Sequence, residues 1–209
     1  MPQIDVDFIN LAERASQGSH VLRSESDRGC ALVAASMLDS TLASVLRCFF
    51  IDEDKVVDGL LDQGRPLATF SSRVDTARAI GLISHDLYAD LHVVRRIRNA
   101  AAHFDGDSPS GHEFRFLEQS VTDRCRALAN CPPEIRDRLP PRLAFELFVG
   151  MVSAVFAEYA RNARILNDHG MHSTGRRMLL DLLPTVDFRG HLQKATDALQ
   201  RDSDQRDAG

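Results

Sequence analysis

Apolar residues recur at intervals of three and four along almost the whole chain, which places them on one face of an α-helix. This periodicity predicts helices at residues 3–17, 25–50, 53–62, 72–81, 84–103, 113–129, 142–166, 176–182 and 188–200, with a short turn or helix between 132–133 and 140–141. The strict alternation that is typical of a half-buried strand is not found. We therefore predict an all-α, single-domain helical bundle of roughly nine helices over residues 1–200. A disordered, charged tail is expected at 201–209.

Capping residues suggest where several helices begin and end. Ser24 is expected to open the second helix, and Glu25 and Asp27 fall in its first turn. Acidic groups there complement the positive end of the helix dipole. Gly81 is expected to end the fourth helix, and Ser84 to cap the fifth.

The fifth predicted helix carries an arginine where a leucine is expected. Projection at ~100° per residue places Arg98 in the apolar face, beside Leu91. An arginine is rarely buried without a partner. We therefore predict a polar core in which Glu25 or Asp27 pairs with Arg98, and Asn99 satisfies neighbouring polar groups. The alternative is that the two acids only complement the helix dipole.

The other side of the same helix is polar and basic, and is a candidate surface for binding a protein partner or DNA. Its members are His92, Arg95, Arg96, Asn99 and His103. The surface is too small to neutralise many phosphates, and phosphate contacts normally dominate DNA affinity. The net charge of −5 also argues against a chain whose whole surface binds nucleic acid. Direct DNA binding is therefore expected to be weak, and a protein partner fits the charge better.

The pair Arg98 and His103 allows a second interpretation, because it resembles the arginine–histidine motif of HEPN domains, some of which are metal-independent ribonucleases. The resemblance implies His103 as a general acid or base at the ribose 2′-hydroxyl and Arg98 as a stabiliser of phosphate charge. Helical projection separates the two side chains by ~140°. A straight helix in a monomer would therefore not bring them together, although a bend or a dimer would.

Other chemistry finds little support in the sequence. The four cysteines, Cys30, Cys48, Cys125 and Cys131, form no C-x-x-C pair, and no signal peptide precedes them. We expect free thiols in a reducing, cytoplasmic compartment. His169 and His172 lack further ligands nearby, and the turn at residues 64–67 is not a phosphate-binding loop. We expect no metal and no cofactor.

Segment 142–166 is apolar over more than one stripe, which core burial or a homodimer interface would explain. Its most apolar part, residues 143–157, contains Glu146 and is shorter than the ~20 residues that a spanning helix needs. We expect no membrane contact and predict a homodimer that uses part of this segment.

Four blocks together resemble the mannitol operon repressor family over roughly residues 20–105. In chain order they are Glu25–Gly29, Gly64–Arg73, Ala79–Ser84 and Arg95–His103. The resemblance implies an all-helical bacterial regulator linked to repression of mannitol uptake and use, and not an enzyme. Because no helix-turn-helix with a basic second helix stands out, we expect repression to act through a partner protein.

Overall fold

The computed structural model describes residues 8–103, 114–194 and 196–197, and this part of the chain is helical without a strand. The α-helices are α1 Phe8–Arg23, α2 Asp27–Phe49, α3 Asp54–Leu61, α4 Phe70–Ala79, α5 His85–Ala102, α6 Gln119–Arg126, α7 Pro133–Arg136, α8 Pro141–Asp168 and α9 His172–Leu182. A short 3-10 turn, Leu183–Thr185, and helical residues at 188–194 follow. The predicted all-α bundle is confirmed. The tail predicted to be disordered, 201–209, lies outside the described residues.

Helix α8 is the centre of the bundle. It packs most extensively against α1 and α2, and it also contacts α6, α7 and α9. Helix α2 packs on α8 and also on α4 and α5, so it connects the central helix α8 to the α4–α5 pair. The phenylalanines Phe145, Phe148 and Phe156 of α8 are fully buried in one continuous core.

Burial within one chain explains the apolar girth of α8. Seventeen of its 28 residues are buried, and Ile165 is its one large hydrophobic residue counted as exposed. Core burial, one of the two explanations predicted from the sequence, therefore accounts for most of the apolar residues of α8. The homodimer itself remains a prediction.

Helices α2 and α8 are long and apolar enough to cross a membrane by length and composition alone. Each contains an 18-residue window with a mean hydropathy of 1.6, of which 44% is buried in α2 and 83% in α8. Core helices of soluble proteins pass the same test. The burial of α8 identifies it as such a core helix.

Close approach of two backbones explains why α1 continues past residue 17, where the periodicity predicts its end. A Cβ atom on Gly150 of α8 would lie 2.6 Å from the carbonyl oxygen of Ala15 and 2.8 Å from Oγ of Ser19. Gly18 sits at the same crossing, and its Cβ would lie 3.5 Å from Cα of Gly150. Packing against α8 therefore extends the helix through a glycine that would otherwise favour its end.

The start of α2 differs from the prediction in both its cap and its ion pair. Ser26, not Ser24, is the N-cap, and its side chain accepts a hydrogen bond from Gly29 N–H at 3.0 Å. The carboxylate of Asp27 pairs with Arg142 of α8 at 2.6 Å, not with Arg98.

The segment before α6 is irregular at 114–115 and forms a turn at 116–118, where the prediction had a helix from residue 113. Phe114 and Phe116 are buried outside any helix, and the Phe116 ring lies 5.2 Å from that of Phe145. The N–H of Phe116 donates to Asp27 at 2.9 Å. These contacts with Asp27 and Phe145 hold the segment against the core outside a helix.

Helix α9 begins at His172, four residues before the predicted start at 176. His172 Nε2 lies 3.3 Å from Asp52 Oδ2 in the connection between α2 and α3. This contact pins a residue that the sequence placed in a loop. His169 ends α8, and its Nδ1 lies 2.8 Å from the carbonyl oxygen of Ile165.

Candidate functional site

A groove of about 560 Å³ opens between α2, α5 and the start of α4. Helix α5 lines it with Arg95, Arg98 and Asn99. Helix α2 supplies Ser36 and Asp39, together with small and apolar side chains. The groove is therefore polar on the α5 side, and two arginines face it from consecutive turns of one helix.

The start of α4 forms one end of the groove and is held by a capping box. Thr69 Oγ1 accepts from Ser72 N–H at 3.1 Å, and Ser72 Oγ accepts from Thr69 N–H at 3.3 Å. The first turn of a helix has N–H groups without an intrahelical acceptor. The capping box gives the N–H of Ser72 an acceptor. The N–H groups of Phe70 and Ser71, two residues that line the groove, remain without an intrahelical acceptor.

Arg98 lies in this groove and is exposed, so the prediction of a buried arginine was wrong. Its Nη1 donates to Asn99 Oδ1 at 3.1 Å, and no ion pair joins it to Glu25 or Asp27. The apolar face narrows at the end of α5, where Ile97 holds the core position, and Arg98 extends beyond its edge. The predicted polar core of Glu25, Asp27, Arg98 and Asn99 does not form.

Arg95 has a different environment. It is partly buried, and its Nε atom is fully buried without a hydrogen-bond partner among the described residues. Buried N–H groups are nearly always paired with protein or ordered water. Arg95 therefore combines a buried, unpaired Nε–H with a side chain that lines the groove.

The one acid that lines the groove is already neutralised. Arg73 Nη1 lies 2.6 Å from Asp39 Oδ1, and the Arg73 side chain is only 12% exposed. Its other nitrogens donate to the carbonyl oxygens of Leu67 and Leu61, both at 2.8 Å. The two arginines of α5 therefore leave the groove with a net positive charge.

The predicted interaction surface on α5 is divided by the fold. Arg95 and Asn99 line the groove, together with Arg98, which helical projection had assigned to the opposite side. Arg96 is exposed and does not line the groove, and its backbone carbonyl oxygen accepts from Arg124 Nη1 of α6 at 3.4 Å. The groove therefore contains only part of the predicted surface, which remains a prediction.

His92 serves a contact between helices. Its Nε2 lies 3.2 Å from Asp75 Oδ1 of α4, and its ring meets that of Tyr88 edge-on at 4.5 Å. Tyr88 also donates to the same carboxylate oxygen at 3.1 Å, and this hydrogen bond raises the pKa of its hydroxyl. His92 therefore helps to pack α5 on α4.

His103 lies outside the groove that contains Arg98. It is exposed at the end of α5, and its N–H donates to the carbonyl oxygen of Asn99 at 3.0 Å. The groove lining includes Arg98 and Asn99 but not His103. The structure thus places the two residues of the ribonuclease hypothesis in different surroundings.

The buried charge on α5 is Asp90, which the sequence reading missed. It is fully buried and accepts hydrogen bonds from Ala129 N–H at 2.6 Å, Asn130 N–H at 2.8 Å and Asn130 Nδ2 at 2.8 Å. Burial raises the pKa of Asp90, while the bonds from Asn130 and Ala129 lower it in part. The spacing of Asp90 could have indicated its burial, because it lies three residues after Leu87 and four before Val94, which are both core residues.

Reactive groups and metal ligands are scarce in the described part of the chain. All four cysteines are free and buried, and burial raises the pKa of Cys30, Cys125 and Cys131 to about 12. Such thiols are poor nucleophiles because the thiolate is the reactive form. The described residues contain no group of three histidine, cysteine or acidic side chains that could hold a metal.

The fold and the groove define an all-helical protein with a polar, arginine-lined site and no assembled metal centre in its described residues. A family model described as "Mannitol repressor" matches residues 20–135, more than half of the 209. The chain belongs to the mannitol repressor family, which confirms the predicted resemblance and supports a regulator's role. The match includes every residue that lines the groove. No curated protein and no solved structure matches the chain.

Proposed function

We propose that this chain is a bacterial, cytoplasmic transcriptional regulator that represses through a protein partner, contacts DNA weakly and catalyses no reaction. Family membership supports the regulatory role. The partner-mediated mode is supported by the distribution of charge on α4 and α5, which is the observation that carries the proposal.

Helices α4 and α5 follow each other through a tight turn, in which Gly81 has a φ of +80°. In a DNA-binding helix-turn-helix, the first residues of the second helix contact base edges in the major groove. The first turn of α5 instead presents exposed Asp86. A carboxylate in that position repels phosphates, so this pair of helices is poorly suited to reading DNA.

The basic residues at the other end of α5 do not offset the repulsion between Asp86 and DNA phosphates. Arg95 and Arg98 line the groove, while Arg96 is exposed outside its lining. With a net charge of −5, the chain is expected to contact few phosphates. Affinity at physiological salt should then stay near ~10⁻⁴–10⁻⁶ M, the range of non-specific binding.

Titration of a labelled promoter fragment at two salt concentrations tests this mode. Weak binding that falls further with salt supports it, and nanomolar, sequence-selective binding by the purified protein overturns it. Asp86→Asn sharpens the test, with Asp137→Asn as a control that removes another exposed acid. If α5 docked on DNA, Asp86→Asn alone would strengthen binding. We expect both variants to bind as the wild type does.

Capture from the native host, with and without nuclease, tests the partner. We expect a specific protein to remain bound after nuclease treatment. Loss of every co-purified protein on nuclease treatment would point to a nucleic-acid link instead.

The alternative function is a ribonuclease that uses Arg98 and His103. Metal-independent RNA cleavage that disappears in His103→Ala would favour this alternative.

Self-association is a separate proposal. Because most apolar residues of α8 are buried within one chain, a dimer that uses part of this helix would also need surface from other elements. Light scattering with the protein at tens of micromolar measures its mass in solution. A monomeric mass would contradict the proposed self-association.

A further inference from the structure

We propose that the groove between α2, α5 and the start of α4 binds a small phosphate ester. Arg95 and Arg98 would hold its phosphate against the N–H groups that open α4. This site does not depend on whether the chain represses through a partner, because the residues that argue for it lie within one chain.

The orphaned donor of Arg95 is the first argument. Its Nε atom is buried without a partner among the described residues, although the residue lines an open groove. A guanidinium is a fixed fork of N–H donors, and carboxylate and phosphate oxygens match it in pairs. An oxyanion in the groove would add acceptors for the guanidinium of Arg95, whose Nε–H has none among the described residues.

The charge balance around the groove selects an anion. Asp39 is held by Arg73 at 2.6 Å, and Arg73 uses its remaining nitrogens on backbone carbonyls. Arg95 and Arg98 have no such carboxylate partner in the lining. Two positive charges in a partly enclosed space disfavour a cation and attract a dianion.

The start of α4 faces the same space. This helix has ten residues and no acid in its own first turn to complement its positive end. Phe70 and Ser71 line the groove, and their first-turn N–H groups have no intrahelical acceptor. Anions bind readily at such helix ends. The helix end and the two guanidiniums thus border one space from different elements.

Size and lining indicate more than an inorganic ion. A volume of about 560 Å³ lies within the ~300–1,000 Å³ of small-molecule pockets, so a bare phosphate leaves most of it empty. The remaining lining includes hydroxyls of Ser36 and Thr69 and the amide of Asn99, with Leu32 and Ala35 as apolar patches. Hydrogen-bonding groups around a small apolar surface suit a compact, polar organic body better than a lipid chain.

Calorimetric titration of the full chain with glycerol phosphate tests the site, with inorganic phosphate, glycerol and chloride compared at equal ionic strength. We expect glycerol phosphate to bind more tightly than phosphate, and glycerol and chloride not to bind. Absence of binding by both phosphate probes at millimolar concentration would overturn the proposal.

Two arginine variants on one helix provide the matched control. Arg98→Gln should weaken binding about tenfold or more, since it removes charged hydrogen bonds. Arg96→Gln, also exposed on α5 but outside the groove, should change affinity less than about twofold. Equal losses in both variants would show attraction by overall charge and would sink the assignment.

Arg95 offers a direct readout by nuclear magnetic resonance. Its Nε–H signal, identified by its loss in Arg95→Lys, should shift and exchange more slowly with water when glycerol phosphate is added. A signal that does not respond would contradict the predicted contact.

Competition with unrelated duplex DNA tests the other source of phosphate. If DNA displaces the ester and DNA binding depends on Arg98, the groove binds a nucleic-acid backbone instead, and the proposal is overturned.

Discussion

Arg142 of α8 reaches Asp27 at the start of α2, with Nη1 2.6 Å from Oδ1. The same guanidinium lies 2.7 Å from Glu146 Oε1 through Nε. Its Nη2 donates to the carbonyl oxygens of Glu25 at 2.6 Å and Leu22 at 3.0 Å. One side chain thus joins the end of α1, the turn that follows it, the start of α2 and the first turn of α8.

Arg142→Ala should lower the free energy of unfolding by roughly 3–5 kcal/mol, the usual loss when one partner of a buried ion pair is removed. Glu146 is 2% exposed, and among the described residues it would keep one ion-pair partner, Arg23, whose Nε is 3.8 Å away. Chemical denaturation measures the change. Arg138→Ala removes an equal charge from an exposed position and should cost less than about 0.5 kcal/mol. Similar stability of the two variants would contradict the role of Arg142.

Gly150→Ala should destabilise the crossing of α1 and α8 by about 1–3 kcal/mol, the usual cost of overpacking. The added methyl group would meet backbone at Ala15, which cannot move away independently. Gly59→Ala is the control, because its Cβ in α3 meets nothing within 4 Å. That variant should be more stable by roughly 0.5–1 kcal/mol, since alanine favours a helix interior over glycine. Thermal unfolding of both variants measures the difference. Equal changes in melting temperature would contradict a close crossing of α1 and α8.

The stability contributed by Asp90 should depend on pH. Burial raises its folded pKa above the unfolded value of about 3.9, so its contribution is complete below that value and is lost as pH rises through the folded pKa. Asp90→Asn cannot titrate. The unfolding free energy of the wild type, minus that of Asp90→Asn, should therefore fall as pH rises above about 4. Each unit of upward pKa shift corresponds to about 1.4 kcal/mol. Denaturation curves across this range check the slope, and a rising difference would contradict the direction of the shift.

Arg98→Ala should leave the stability within about 0.5 kcal/mol of the wild type, because its side chain is exposed beside the groove. A loss of several kcal/mol would instead restore the buried arginine that the sequence pattern predicted. The same denaturation measurement as for Arg142→Ala compares the two arginines directly.

Local features of the fold were predictable because they depend on neighbours in the chain. Ser84 does cap α5, accepting from Leu87 N–H at 3.2 Å, and Gly81 does end the preceding helix region with a positive φ. Helical spacing also placed Leu91 correctly on the buried face of α5.

The choice of partners could not be predicted in the same way. Arg98 and Arg142 both occupy positions beside apolar residues, and angular projection says nothing about how far a long side chain extends. Asp27 pairs with a residue 115 positions away, which depends on how α2 packs on α8. The groove likewise requires α4 to meet α5 at a particular angle. The orphaned Nε of Arg95 is visible only once that packing is known.

The position of α8 has a consequence for the order in which the protein is made. Residues 141–168 provide the main packing surface for α1 and α2, yet they leave the ribosome more than 90 residues after Phe49, where α2 ends. Until then, α1 and α2 lack the helix that buries much of their apolar surface, and such intermediates tend to aggregate or to bind chaperones. A nascent chain stalled before Pro141 should therefore hold the segments of the groove without the backing that fixes α2 in place.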